Sequence, residues 1–325
     1  MIQKNKKKIL RIFIAGHNGM VGRSLVKFLK KKKFGNLILA SRKKLNLEDS
    51  HKVERFIKLK KPNVIINCAG RVGGILANST YPTEFLNENI SIQSNLIKFS
   101  FENKIDHFIN LGSSCIYPKN AIQPIKEEFL LTDSLEKTNE AYALAKIIGL
   151  KLCEYYNKQF KKTYLTLMPC NLYGPNDNFD LKNSHFIPAL IKKIVNSKIK
   201  NVSKIEIWGT GKPKREIMHV DDLASAIYFI LRAKISNNKK LRKFLKKKSL
   251  INVGSGTEFT IKQFAEKICK IENNNSKLYF NKSYPDGTMR KILDNKIMKD
   301  LGWSPKISLE KGLANTIKWY KKNYL

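Results

Sequence analysis

Three glycines near the start of the chain constrain its fold more than any other feature. Gly16, Gly19 and Gly22 are spaced G-x-x-G-x-x-G. They follow an apolar run at 9–15 and precede a stretch, 20–30, whose apolar residues recur at helical spacing. A strand that turns tightly into a helix needs glycine where backbone approaches backbone. The same turn aims the unpaired N–H groups of the helix at the space beyond the strand, where they can meet a pyrophosphate. Asn18, Met20 and Val21 lie among these glycines and are the neighbouring candidates for that contact. The spacing differs from the G-x-G-x-x-G of many dinucleotide-binding proteins, and a tight turn without a ligand is the plainer alternative.

Strand-like runs at 37–40, 63–68, 105–111 and 164–168 alternate with helix-like segments such as 52–59. Short apolar runs between helices are the pattern of parallel strands covered on both faces. The expected fold class is α/β, a doubly wound parallel sheet followed by a smaller unit. After Pro175 the chain turns to Asn-, Asp- and Pro-containing loop, which places a boundary near Gly174. Residues 236–249 read as a lysine-rich insert or exposed helix without a chemical signature.

The 325 residues include 62 Lys and Arg against 26 Asp and Glu, a formal charge of +36. Such a field attracts anions. The lysines are scattered over helix faces, without the interleaved aromatics that stack RNA bases. The charge therefore reads as a solvated surface, which disfavours nucleic acid as the main ligand yet still attracts a nucleotide diphosphate. The cysteines at 68, 115, 153, 170 and 269 are odd in number and show no C-x-x-C or metal-ligand spacing. No metal is expected, and free thiols point to a reducing, cytoplasmic compartment. Lys4 and Lys6 to Lys8 imitate the start of a signal peptide, but Arg11 breaks the apolar run and no cleavage site follows. No run approaches the roughly 18 apolar residues of a membrane span.

Cofactor choice is written at the end of the second strand. An NAD enzyme places an acid about 20 residues beyond the glycines, for the ribose 2′-hydroxyl. Here the segment reads Leu39-Ala40-Ser41-Arg42-Lys43. Arg42 suits a 2′-phosphate, so NADPH/NADP is favoured over NAD, the alternative being an ordinary surface arginine. Further along, Tyr142 and Lys146 stand at i and i+4, on one face of a helix. A nearby ammonium should stabilise the phenolate and lower the tyrosine pKa toward working pH. Tyr142 can then exchange a proton with a carbonyl oxygen while hydride moves. Ser113 follows a strand, at the carboxyl edge where α/β ligands bind, and can hydrogen-bond the same oxygen.

With these motifs the stretches FIAGHNGMVGRS, RVGGILANSTYPTEF, LGSSCIYP, TNEAYALAK, NLYGPNDNF, NSHFIPALI and PDGTMRKILD resemble the GDP-L-fucose synthase family. They run over nearly the whole chain. The resemblance implies an extended short-chain dehydrogenase/reductase on a Rossmann sheet, acting on a GDP-linked 4-keto sugar by 3,5-epimerisation and 4-reduction. It implies Cys115 as base and His185 as acid in epimerisation, and Lys146 as holder of the nicotinamide ribose. It assigns Asn171, His185, Lys193, Trp208, Arg215 and Lys291 to substrate binding. It implies residues 9–173 plus 217–256 as the NADP-binding domain, 174–216 plus 257–325 as the substrate domain, and a homodimer. Lys193 stands where the family pattern has arginine, and Asn18 replaces a basic residue of the glycine loop, changes that bear on affinity.

Taken alone, Cys115 would read as an inert buried thiol and His185 as structural. Nucleotide-sugar 4,6-dehydratases fit less well, because their Asp-Glu pair near Ser113 is here Ser114-Cys115. A C4 epimerase would favour an acidic cofactor selector. A Rossmann-fold nucleic-acid-associated binding protein is the non-enzyme alternative, disfavoured by the intact Ser113, Tyr142 and Lys146.

Overall fold

Alternation along the strand Arg11–Ala15 shows how the core is divided. Ile12 and Ile14 join a cluster with Leu25, Leu29, Ala224 and Ile227, whereas Phe13 and Ala15 join Val53, Ile57, Ile92 and Leu96. Successive side chains of a strand point to opposite faces, so this strand is covered on both. Each large aliphatic side chain removed from water contributes about 1.5–3 kcal/mol. The structure, a computed structural model, describes residues 10–325 except 182, 237, 246, 247 and 285. The lysines at 4 and 6–8, the first residue of the expected strand at 9–15, and residues 237, 246 and 247 of the lysine-rich insert lie outside the described residues.

In chain order the first elements are β1 (Arg11–Ala15), α1 (Met20–Lys31), β2 (Asn36–Ile38), α2 (Ser50–Lys60), β3 (Val64–Asn67), α3 (Ile75–Thr80), α4 (Pro82–Glu102), β4 (His107–Leu111), α5 (Glu140–Phe160) and β5 (Leu165–Pro169). They are followed by β6 (Asn171–Tyr173), α6 (Phe186–Ile199), β7 (Lys204–Trp208), β8 (Lys214–His219), α7 (Val220–Ile235), α8 (Lys239–Leu245) and β9 (Leu250–Val253). The chain closes with β10 (Glu258–Thr260), α9 (Ile261–Glu272), β11 (Lys277–Asn281), β12 (Arg290–Lys291), α10 (Lys296–Leu301) and α11 (Leu309–Tyr324).

One six-stranded parallel sheet has the order β2-β1-β3-β4-β5-β9. The chain winds outward from β1 to β2 and then the other way from β3, so a crevice opens between the carboxyl ends of β1 and β3. Helices α1 and α7 pack together, as do α2, α4 and α5. This is the doubly wound α/β sheet expected from the sequence. Strand β9 pairs in parallel with β5, Thr166 opposite Leu250, so a late segment returns to the main sheet.

A second set of strands centres on β8, which pairs in parallel with β6 and β12 and antiparallel with β10. Its apolar partners include Ile191, Ile217, Phe264 and Leu313. A capping box starts α9: Gln263 N–H donates to Thr260 Oγ1 at 3.1 Å, and Thr260 N–H to Gln263 Oε1 at 2.8 Å.

Two expectations need correction. The strand expected at 37–40 ends at Ile38; β2 is an edge strand, held by β1 alone. The segment at 236–249 is not merely exposed: α8 is docked through Leu241, which is buried in the main core. An amphipathic helix with one aliphatic anchor needs few apolar residues, and its lysines hide that pattern in the sequence.

Candidate active site

The glycine loop has two positions where a side chain is excluded. Gly16 has φ +76°, and a Cβ there would lie 2.6 Å from the backbone nitrogen of Ala69, beyond β3. A Cβ on Gly22 would lie 2.2 Å from the carbonyl oxygen of Gly16, so glycine lets α1 pack onto its own turn. Gly19 has room within the chain, its nearest atom being the Gly16 oxygen at 3.5 Å. Helix α1 has no side-chain cap, which leaves first-turn N–H groups, at Met20 and Val21, for an anion. The Asn18 carbonyl accepts a hydrogen bond from Arg23 Nε at 2.8 Å. That arginine brings a cation to the loop in which Asn18 itself carries none.

Arg42 lies on the exposed rim, with 74% of its side chain accessible. Its guanidinium is 2.8 Å from Glu48 and 3.7 Å from Glu88. The strand end lacks an acid in sequence, but the fold delivers two acids from other segments. Glu88 also pairs with Arg71 at 2.5 Å, and Arg71 lies over the rings of Tyr81 and Phe85.

Ser113, Cys115, Tyr142 and Lys146 converge where β4 ends. Ser113 Oγ accepts the Cys115 N–H at 3.5 Å and begins the 3-10 turn Ser114–Ile116. Tyr142 and Lys146, one helical turn apart on α5, are both buried. Lys146 Nζ lies 5.6 Å from the centre of the Tyr142 ring. Phe85 meets that ring edge-on at 6.0 Å. A polar ladder fixes α5 behind the site. Asn67 donates to Asn110 at 2.9 Å, Asn110 to Gln93 at 3.1 Å, and Gln93 to the Ala145 carbonyl at 3.1 Å. Gly149 admits it, since a Cβ there would stand 2.1 Å from Gln93 Oε1.

The electrostatics reverse one expectation. Burial raises the Tyr142 pKa, the charge of Cys115 adds to the rise, and the hydrogen bond with Ser113 opposes it. The ammonium of Lys146 does not lower it, because Nζ donates to the Leu111 carbonyl at 3.0 Å and faces the ring. Burial in turn pushes Lys146 down to about 8. The Cys115 thiol is raised by burial, opposed first by Lys291, then by Ser113 and Lys146. His185, at the start of α6, is accessible yet densely surrounded, and burial lowers its pKa.

The remaining substrate candidates form two groups. Arg215 on β8 stands opposite Lys291 on β12, and Asn171 on β6 opposite Ile217, two residues further along β8. Arg215 donates to the carbonyls of Lys214 and Thr288, and burial lowers its pKa. In the other group Lys193 donates to the Glu206 carbonyl at 3.0 Å and lies 5.0 Å from the Trp208 ring centre. Burial lowers the Lys193 pKa, against the Glu206 charge.

A family model described as the NAD dependent epimerase/dehydratase family matches residues 12–254. The chain belongs to that family. It is similar to the GDP-L-fucose synthase of Escherichia coli (strain K12), 44% identical over 313 residues, or 96% of this chain and 97% of that protein. It is equally similar to GDP-L-fucose synthase 1 of Arabidopsis thaliana, 44% identical over 97% of this chain and 94% of that one. The solved structure of a GDP-mannoheptose C4 reductase from Campylobacter jejuni with NADP bound has a TM-score of 0.84 and 34% identity, covering 96% of this chain and 98% of that chain.

Within this epimerase/dehydratase frame several residues around the candidates escaped sequence reasoning. Tyr284 stacks on Trp208, centroids 4.3 Å apart and planes 12° from parallel. Asp286 accepts both the N–H of Thr210, at 2.9 Å, and its hydroxyl, at 2.5 Å. Gly287 brings backbone against Arg215, since a Cβ there would stand 3.1 Å from Nη2. The only signal was the sequence Pro-Asp-Gly, which reads as a turn. The ladder Asn67–Asn110–Gln93 joins three segments far apart in sequence and had no local signature.

Proposed function

We propose that this chain is a GDP-L-fucose synthase, taking GDP-4-keto-6-deoxy-D-mannose to GDP-L-fucose with NADPH. The observation that carries this reading is the convergence of Cys115 with Ser113, Tyr142 and Lys146 at one strand end. The identity to GDP-L-fucose synthases over nearly the full chain supports the substrate. A reductase alone needs hydroxyl donors and a lysine; a thiol among them serves proton transfer at carbon.

The C4 ketone acidifies the protons at C3 and C5. A base removes each, leaving an enolate, and an acid returns a proton to the opposite face. Cys115 is the base and His185 the acid. Ser113 and Tyr142 donate to the enolate oxygen. The raised pKa keeps Tyr142 a neutral phenol, the form that donates a proton to the C4 oxygen during reduction. NADPH supplies the hydride that C4 accepts.

The cofactor-binding residues in this reading are Gly16, Asn18, Gly19, Met20, Val21, Gly22, Arg42, Tyr142 and Lys146. The crowding at Gly16 and Gly22 fits a pyrophosphate lying on the loop. The diphosphate of the sugar nucleotide is met by Arg215 and Lys291, and its base by Trp208 with Lys193. Residues 9–173 plus 217–256 carry the cofactor and 174–216 plus 257–325 the sugar nucleotide. The enzyme works as a cytoplasmic homodimer. Supporting the dimer, Leu144, Ile148 and Tyr155 share one face of α5, with Leu144 41% and Tyr155 60% exposed. No helix among the described residues is long and apolar enough to cross a membrane.

The test is solvent exchange in deuterium oxide without NADPH. Deuterium should enter C3 and C5 of the keto sugar with the parent protein, but not with Cys115→Ser. Exchange that survives in Cys115→Ser excludes the thiol as base and removes the epimerase half of the reading.

A further inference from the structure

The turn that follows β11 shapes the outer end of β7. Gly209 N–H, just past β7, donates to the Asn281 carbonyl at 2.9 Å. Asn281 Oδ1 accepts the N–H of Ser283 at 3.0 Å and its hydroxyl at 2.7 Å, which fixes the amide. The Nδ2 of that amide donates to Glu206 Oε1 at 2.6 Å. One residue beyond Ser283, Tyr284 lies flat on one face of Trp208, the ring centres 4.3 Å apart. A single turn, 281–284, thus orients both a carboxylate and an indole.

Glu206 and Trp208 stand two residues apart on β7, on the face opposite the buried Ile205 and Ile207. Two steps along a strand are about 6.6 Å, so a flat ring resting on the indole brings its edge to the carboxylate. Trp208 is still 49% exposed although Tyr284 covers one face. Of the lysines around Glu206, Lys193 directs its ammonium to the Glu206 backbone carbonyl at 3.0 Å, and Lys204 lies 3.8 Å from the centre of the Tyr279 ring. The Glu206 carboxylate forms no ion pair among the described residues, and its one hydrogen bond there is the one from Asn281.

We propose that Glu206 selects the base of the sugar nucleotide: its carboxylate accepts the N1–H and the 2-amino group of a guanine stacked on Trp208. This rests on the reading of Trp208 as the seat of the base and names the group that decides which base is taken. Guanine presents those two donors side by side, and an ionised carboxylate accepts through both oxygens, with lone pairs to spare for Asn281. Adenine has an acceptor at N1 and no 2-amino group, so it would face the carboxylate with a lone pair. Uracil flanks its single N–H with two carbonyl oxygens, which the carboxylate repels.

Calorimetric titration of the full chain with GDP, IDP and ADP separates the base from the diphosphate. IDP keeps the N1–H of guanine and lacks the 2-amino group. The parent protein should bind GDP about tenfold more tightly than IDP, or better, the loss expected for one bond to a charged group. In Glu206→Gln that preference should fall to within about twofold, while ADP binds as in the parent or more tightly. Removing a negative charge near a diphosphate can only strengthen its binding, so a selective loss of GDP affinity belongs to the edge of the base. A parent that does not distinguish GDP from IDP overturns the proposal. So does a preference retained in Glu206→Gln, or an equal weakening of all three nucleotides. A parent that favours ADP over GDP would remove the GDP-sugar reading itself, whereas a preference for GDP that survives in Glu206→Gln removes Glu206 alone.

Discussion

The Lys146 ammonium donates to the carbonyl oxygen of Leu111 at 3.0 Å, tying the middle of α5 to the last residue of β4. Through this bond the helix that carries Tyr142 is referenced to the strand end that carries Ser113. The carbonyl is satisfied, and the charge is held in a buried place where its pKa falls to about 8.

Lys146→Met should therefore reduce more than cofactor affinity. NADPH-dependent reduction is expected to fall by about 10²–10⁴-fold, the range for losing a positioned proton-transfer group. In the parent enzyme, reduction should weaken as pH rises through about 8, where Lys146 loses its proton. Stopped-flow NADPH oxidation across pH checks both. A rate independent of pH up to 10 in the parent would contradict the role of the charged form.

Arg42 is expected to set the cofactor preference although it meets two acids. A 2′-phosphate, with a charge of about −1.5 to −2, competes with Glu48 for the exposed guanidinium. Arg42→Ala should weaken NADPH binding by roughly tenfold or more, the loss of a charge-assisted bond of about 1.5–3 kcal/mol. NADH binding should hardly change. Fluorescence titration with both cofactors measures the ratio, and equal weakening of the two would remove Arg42 as selector.

Glu216 joins three segments: its carboxylate accepts Gly256 N–H at 2.6 Å, Leu293 N–H at 2.9 Å and Asn295 Nδ2 at 3.5 Å. Burial raises its pKa, opposed chiefly by these backbone donors. Glu216→Ala strands the buried Leu293 N–H and removes the bond to the exposed Gly256, and a destabilisation of about 1–3 kcal/mol should follow. Denaturant melts of Glu216→Ala and Glu216→Gln test this, with glutamine expected to lie between the parent and alanine. A change below about 0.5 kcal/mol, the usual size for a surface substitution, would contradict the assignment.

Asp177 makes stability depend on pH. It is buried, one carboxylate oxygen accepts Asn178 N–H at 2.8 Å, and the other has no hydrogen-bond partner among the described residues. Burial pushes its pKa from 3.8 up to about 7. Between these values the folded form binds the proton more tightly than the unfolded chain. The group's contribution is fully present below about 3.8 and lost as pH rises through about 7. Asp177→Asn, which cannot ionise, should be more stable than the parent above pH 7, by about 4 kcal/mol at most, and the gap should close toward pH 4. A gap that stays constant across pH would show that the carboxyl does not titrate there.

What could be read in advance divides by distance along the chain. The strand ending at Ala15, found from Arg11, the glycine turn and the Tyr142–Lys146 spacing are local patterns, and the fold places them as those patterns require. The direction of the Tyr142 shift was misread because spacing reports the nearby ammonium but not the depth of burial, which here is the larger effect. The segment 39–43 holds no acid, and the acids that meet Arg42, Glu48 and Glu88, come from outside it. The bridge between Ile125 and Leu293 joins segments about 170 residues apart in the chain, and no periodicity encodes such a register.

In the proposed reaction one site both epimerises and reduces. The most direct measurement is NADPH oxidation with GDP-4-keto-6-deoxy-D-mannose, with the product sugar identified by NMR. One NADPH should be consumed per sugar, with a product inverted at C3 and C5 as well as reduced at C4. A product reduced at C4 with C3 and C5 unchanged would contradict it.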